Sequence, residues 1–275
     1  MRDQGGARLR RGKARRGLLY DPHAQKQLSR ADAHHACRNR AGRVSRKVSA
    51  ADAGEPTPEA LAAALDTYKV AAVLFEIVRG EGGVLPLEKS FVDALEKEAA
   101  AHDFLLMCDE VQCGNGRSGT LYAYMQYGLS PDVVTTAKGL GGGLPLGATL
   151  LGDKAADLFT PGSNGSTFGG NPICAAAALN VISRLNEDVF AGVKGRAAYI
   201  RKELTGAPGV KSITGLGLMI GILPENKTAA EVASACLQDG LMVLTAHEKV
   251  RLLPPLNISY EDLAAGLAIL KKHLA

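Results

Sequence analysis

The sequence predicts an α/β fold: a mostly parallel sheet covered by helices, followed by a smaller C-terminal α+β domain. Continuous apolar runs at residues 70–76 and 104–109 read as strands buried on both faces. Helical patterns separate the strand candidates, and that alternation implies parallel pairing with helices on both sides. After Gly209 the rhythm changes to short strands interrupted by two helices.

Taken in order, regular structure begins near Thr57-Pro58-Glu59, which reads as an N-cap, a first-turn proline and an acid at a helix start. Residues 60–65 continue that helix, and the strand at 70–76 ends in Glu76. A helix over roughly 87–101 leads to the second buried strand at 104–109. Shorter strands are expected at 133–136 and 148–151, and helices over 171–185 and 191–204. The smaller domain offers strands at 210–214 and 216–223, a helix near 229–237, and short strands at 242–244 and 250–252. Its last helix starts at the cap Ser259-Tyr-Glu-Asp262. The expected division is a basic segment over 1–54, a partial large domain over 55–190 and a small domain over 191–275.

With 275 residues, 46% of them hydrophobic, the chain can bury the cores of one or two domains. No apolar run reaches the roughly 20 residues of a membrane span, and no apolar stretch follows the first basic residues as in a secretory signal. The five cysteines form no CxxC pair, and their odd number argues against a disulfide scaffold or zinc site and for a reducing cytoplasm. The net charge of +4 hides an asymmetry: residues 1–50 hold 14 Lys+Arg against 3 Asp+Glu, and the remainder 18 against 25. A basic arm can bind nucleic acid or anionic membrane, but only Tyr20 is interleaved with these charges, so no nucleic-acid partner is expected. An organelle transit peptide is a weaker reading of the same stretch.

Three segments carry chemistry. Asp109-Glu110-Val111-Gln112 lies where a buried strand ends, the side on which open α/β sheets bind ligands. An acid capping the next loop is the bland alternative, and a nucleotide triphosphatase would need a GxxxxGK[ST] loop that the sequence does not contain. Lys138 ends another strand directly before a glycine run, among apolar neighbours that suggest partial burial. Burial lowers a lysine's pKa and makes its amine a nucleophile toward an aldehyde, although a lone lysine is usually a solvated surface residue. The stretch Gly165-Ser166-Thr167-Phe168-Gly169-Gly170-Asn171-Pro172 offers hydroxyl and main-chain donors to a phosphate ahead of a helix.

In order and spacing, the segments LFEIVRGEGGV, MCDEVQCGNGRSGTLYAYMQYG, PDVVTTAKGLGGGLPLGA, PGSNGSTFGGNP and VRLLPPLNIS resemble the class III pyridoxal-phosphate-dependent aminotransferases, most closely the acetylornithine type. The likeness runs from about Thr57 to the C-terminus. It implies the fold type I architecture, pyridoxal 5'-phosphate as cofactor, a homodimer, and transamination between N-acetylornithine and 2-oxoglutarate in arginine biosynthesis. Ornithine, succinylornithine or 4-aminobutyrate chemistry, or a non-catalytic remnant, are the alternatives.

By that resemblance Lys138 forms the internal aldimine and shuttles a proton, and Asp109 pairs with the pyridine nitrogen. Glu110, Val111 and Gln112 complete the cofactor-binding strand end, with Val111 on a ring face and Gln112 at the ring oxygen. Thr167 reaches the partner's cofactor phosphate, and Ser166 contacts substrate. Glu81 and Arg251 match an acid–arginine pair in which the arginine takes a substrate carboxylate and the glutamate neutralises it otherwise; an ordinary surface ion pair is the bland reading. Ile77 and Arg79 stand where the family usually has proline and glutamine.

The family's serine-glycine-alanine-glutamate loop and its phenylalanine-histidine-glycine-arginine segment do not occur in the sequence. Reading residues 26–54 one nucleotide later, with suitable synonymous codons, can give SSFHGRTLTTPAATGQDGFHAKFQPLTPG, which resembles the second of these. Residues 1–54 are therefore expected to be an out-of-frame or disordered stretch, and the chain as written is expected to be weak or inactive.

Overall fold

The computed structural model describes residues 16–20, 47–49, 55–162 and 165–275. The expectation of disorder over residues 1–54 lies largely outside the described residues. Two strands are described there, β1 (Arg16–Tyr20) and β2 (Lys47–Ser49), in a stretch whose sequence has no strand period.

Helix α1 (Pro58–Thr67) opens as its sequence dictates: Pro58 occupies the first turn, and Thr57 Oγ1 accepts the Ala60 N–H at 3.2 Å. Strand β3 (Lys69–Phe75) follows, buried from its second residue onward. The short hairpin β4 (Val78–Arg79) and β5 (Leu85–Pro86) brackets the loop that carries Glu81. Helix α2 (Lys89–His102) buries Phe91, Val92, Leu95 and Ala99, one stripe of an amphipathic helix, and stops at Asp103 in the left-handed conformation. Strand β6 (Leu105–Asp109) is buried throughout. Strands β7 (Val133–Thr136) and β8 (Ala148–Leu151) come next, then α3 (Pro172–Arg184) and α4 (Glu187–Leu204). The C-terminal part contains β9 (Val210–Leu216), β10 (Met219–Pro224), α5 (Ala229–Gln238), β11 (Leu244–Ala246), β12 (Lys249–Leu252) and α6 (Tyr260–Leu274).

The six-stranded sheet has the order β2-β1-β3-β6-β7-β8. All its pairings are parallel except β7 with β8. Side chains alternate across it. Val73, Phe75, Leu106 and Cys108 meet Leu61, Phe91 and Leu95 of the helices on one face. Ala72, Leu74, Leu105, Met107 and Val133 form a smaller cluster on the other. The second sheet, β11-β12-β10-β9, is antiparallel. Helices α4, α5 and α6 pack on it through Ile200, Val232 and Leu267.

Some elements differ from the sequence reading. Helix α4 begins at Glu187 rather than 191, because Asn186 caps it by accepting the Val189 N–H at 3.1 Å. Its Val193, Ala197 and Ile200 belong to the C-terminal core, so the expected division at residue 190 falls inside this helix. The strand expected at 242–244 forms at Leu244–Ala246, where it pairs with β12. Among the described residues, no helix is long and apolar enough to cross a membrane. The four described cysteines are free and buried.

Candidate active site

Strands β6 and β7 are parallel neighbours, with Asp109 in register with Thr135. Asp109 therefore ends its strand level with Thr135, and Lys138 lies three residues further along, beyond the same sheet edge. Asp109 is buried, and its Oδ1 accepts the Val111 N–H at 3.0 Å, which turns the chain back at the strand end. Lys138 starts a short 3-10 turn, Lys138–Gly141, with φ 49, a left-handed conformation that few non-glycine residues adopt. Gly142 and Gly143 continue at φ 59 and 105, so the glycine run serves the turn itself.

By surface area Lys138 is exposed, not partly buried as its neighbours suggested. Nearby protein atoms still desolvate the amine enough to lower its pKa, against the attraction of Glu81, Glu76 and Asp109, with Arg251 adding repulsion. Asp109 is thus among the charges acting on Lys138, and the two groups converge at one sheet edge.

Asn115 braces this edge, and the sequence reading missed it. Its Nδ2 donates to Thr136 Oγ1 and to Ala137 O, both at 3.0 Å, fixing the two residues before the lysine. The Asn115-Gly116 dipeptide, with φ 54 and 86, was the available signal for a tight turn here.

Glu110 has a different place from the one the resemblance gave it. It is wholly buried, and its two oxygens accept the Ala123 and Tyr124 N–H groups at 3.0 and 2.9 Å and the thiols of Cys113 and Cys108 at 3.3 and 3.7 Å. Burial raises its pKa, and these four donors work against that rise. The carboxylate is committed to holding the 110–124 loop, which leaves it no free acceptor for a cofactor. Val111 is buried in the same strand-end turn.

Gln112 bridges two other candidates. Its Nε2 donates to Glu81 Oε1 at 3.3 Å, and its Oε1 accepts from Arg251 Nη1 at 3.5 Å. Arg251 Nη1 donates to Glu81 Oε1 at 2.8 Å. Burial alone would raise the Glu81 pKa, but Arg251, by hydrogen bond and charge, together with Gln112 and Lys138, brings it below the usual value. Gly80 leaves room for the Gln112 amide in this position, since a Cβ there would lie 2.6 Å from Gln112 Oε1 and displace it. Arg79 turns aside to pair with Glu55 at 2.8 Å, and Ile77 is buried in the core.

Ser166 and Thr167 are exposed, and Phe168 beside them is 85% exposed. Asn171 Oδ1 accepts the Ile173 and Cys174 N–H groups at 3.0 and 3.3 Å, so the loop's asparagine caps α3. That helix packs on the lysine turn: a Cβ on Gly142 would lie 3.0 Å from Val181 Cγ2. Thr135 Oγ1, Asn115 Oδ1 and Arg251 Nε are buried without a hydrogen-bond partner, all on residues flanking the lysine–acid edge.

The Aminotransferase class-III family model matches residues 23–274. The chain belongs to the class-III aminotransferase family. The match begins inside the basic stretch that composition sets apart. Among curated relatives, this class-III aminotransferase chain is 46% identical to the acetylornithine aminotransferase of Haemophilus ducreyi over 207 residues, 75% of the chain and 53% of the relative. It is 44% identical to the succinylornithine transaminase of Salmonella agona over 215 residues, again 75% and 53%. The chain thus spans about half the length of the curated relatives it matches. The N-acetylornithine aminotransferase of Stenotrophomonas maltophilia is a solved structure with TM-score 0.78 and 29% identity, covering 96% of this chain and 66% of that one.

The family's cofactor is pyridoxal phosphate. The donor set fits it: a crowded amine at a strand end, a buried carboxylate on the adjacent strand, and unpartnered buried polar atoms beside them.

Proposed function

We propose that this chain transfers an amino group from N-acetylornithine to 2-oxoglutarate, in arginine biosynthesis, with pyridoxal phosphate held at Lys138. The observation that carries the proposal is the strand-edge arrangement: an amine of lowered pKa, the Asp109 carboxylate acting on it, and Arg251 closed on Glu81 within its field.

Bound pyridoxal phosphate supplies the electron sink that lets an amino-acid α-carbon give up a proton. Lys138, whose amine is neutral more readily than an ordinary lysine's, would hold the cofactor, and the same amine would serve as the base that moves a proton at the substrate carbon. Asp109 would hold a proton on the cofactor's ring nitrogen, and Val111 would supply an apolar surface for the ring. Gln112, held between Glu81 and Arg251, would be the donor for the cofactor's ring oxygen. Arg251 takes a substrate carboxylate, and Glu81 neutralises it when none is present, which suits a pair of substrates differing in one carboxylate. Ser166 contacts substrate.

The chain works as a homodimer in a reducing cytoplasm under this proposal. Phe168, Ile173 and Leu179, each at least 71% exposed, offer apolar surface next to Thr167, which serves the partner's cofactor phosphate.

The experiment is direct. Purified chain mixed with pyridoxal phosphate should show the absorbance band of lysine-bound cofactor, lost in Lys138→Ala. Acetylornithine, succinylornithine, ornithine and 4-aminobutyrate are then compared as donors to 2-oxoglutarate. No band in the parent chain would support the non-catalytic remnant instead.

A further inference from the structure

The loop that carries Glu81 is pinned by a residue in an unfavourable conformation. Val84 has φ 54, the left-handed region that β-branched residues rarely enter, and it is wholly buried. Its N–H donates to Gly80 O at 3.3 Å, closing a turn around Glu81. Strain of this kind persists only where the surroundings enforce it.

Gly221 supplies the surroundings. It lies inside β10, opposite Arg251 of β12 on one side and Thr214 of β9 on the other. It is not among the glycines with positive φ, so its backbone does not call for glycine. Space does: a Cβ at 221 would lie 2.9 Å from Val84 Cβ, and 3.1 Å from both Lys249 Cδ and Thr214 Oγ1.

We propose that Gly221 is a positioning residue for the Glu81–Arg251 pair: by leaving room for Val84 beside the strand of Arg251, it sets how closely Glu81 approaches the guanidinium. Sliding β10 brings an added methyl group against the neighbouring strands, where Thr214 Oγ1 and Lys249 Cδ already lie 3.1 Å away. Val84 cannot evade it by a rotamer change, because the clash is with its Cβ. The turn over residues 80–84 has to move, and Glu81 moves with it. The consequence for substrate selection rests on the reading of this pair as a carboxylate gate; the positioning itself does not.

The test uses the full chain labelled with carboxyl-13C glutamate, with the Glu81 resonance assigned by Glu81→Gln. In the parent, Glu81 titrates below the ordinary glutamate range because of Arg251, with Gln112 and Lys138 contributing. In Gly221→Ala its titration is expected to move up toward the ordinary range, as in Arg251→Gln. Should Gly221→Ala not fold, Val84→Gly is read instead; it relaxes the backbone, removes the wedge, and is expected to give the same upward shift. A Glu81 titration unchanged from the parent in the folded variant overturns the proposal. Calorimetric binding of 2-oxoglutarate separates the two readings. Several-fold tighter binding in Gly221→Ala, with no further gain in the double variant with Glu81→Gln, supports positioning and gate together. A shifted Glu81 with unchanged 2-oxoglutarate affinity upholds the positioning and removes the gate.

Discussion

Arg251 Nη1 stands 2.8 Å from Glu81 Oε1, a contact between residues 170 positions apart in the chain. It ties the second sheet to the loop beyond the first, and it places a cation and its counter-charge within the electrostatic field of Lys138. Side-chain exposures of 9% for Arg251 and 45% for Glu81 make it unequal: the arginine is fixed and the glutamate is the part free to leave.

Replacing the glutamate should expose that inequality. Glu81→Gln leaves Arg251 without a counter-charge and is expected to tighten 2-oxoglutarate binding several-fold, read by calorimetry. Because the folded pKa of Glu81 is depressed, the pair's contribution to stability is present above the ordinary glutamate range and is lost as pH falls through the depressed value. The stability difference between the parent and Glu81→Gln should therefore shrink as urea unfolding is followed from about pH 7 to about pH 3.

Lys138 should move stability with pH in the same direction but for the opposite reason, since here the charged form costs stability. Its folded pKa is lowered by desolvation, so its charged form opposes folding at neutral pH. Stability should rise as pH climbs from the lowered value toward the ordinary lysine value. Lys138→Met removes that cost. Thermal unfolding without cofactor should show the variant more stable at neutral pH, with an advantage that narrows in alkaline buffer. Equal midpoints across the whole range would contradict the crowding of this amine.

Glu110 is expected to matter for stability before it matters for chemistry. Glu110→Ala strands the Ala123 and Tyr124 N–H groups and two thiols in the core. A loss of about 2–4 kcal/mol in urea unfolding is expected from unsatisfied buried donors. A variant that unfolds like the parent but no longer holds pyridoxal phosphate would return Glu110 to the cofactor.

Asn171→Ala removes the cap of α3, which accepts two N–H groups. The expected cost is about 1 kcal/mol. Since α3 packs against the lysine turn, hydrogen exchange should quicken at residues 138–142 as well as at the helix start. Faster exchange confined to the helix would show that the turn does not depend on it.

Much of this chain could be read from local pattern. The runs at 70–76 and 104–109 became β3 and β6 because a continuous apolar stretch has no stable place except inside a sheet covered on both faces. Thr57, Ser259 and Asn171 cap helices because short polar side chains satisfy the first N–H groups wherever they occur. The positions of Lys138 and Asp109 at the sheet edge were legible for the same local reason: Asp109 ends one buried strand and Lys138 lies two residues past another.

What the sequence alone determined, then, is the order of elements and the sheet edge to which Asp109 and Lys138 are brought. The tertiary structure decided where side chains point and which distant residues meet. Glu110 follows Asp109 directly, but alternation at the strand end turns it inward onto the Ala123 and Tyr124 amides. Gln112 lies between Glu81 and Arg251 because Gly80 leaves it room. Strand β8 runs antiparallel to β7, although its four residues carry no mark of direction. Gly221 looks like any strand glycine until Val84 is seen against it. Periodicity encodes which face of an element is buried, but contacts between residues far apart in sequence depend on shapes fitted across elements, and no local pattern specifies those.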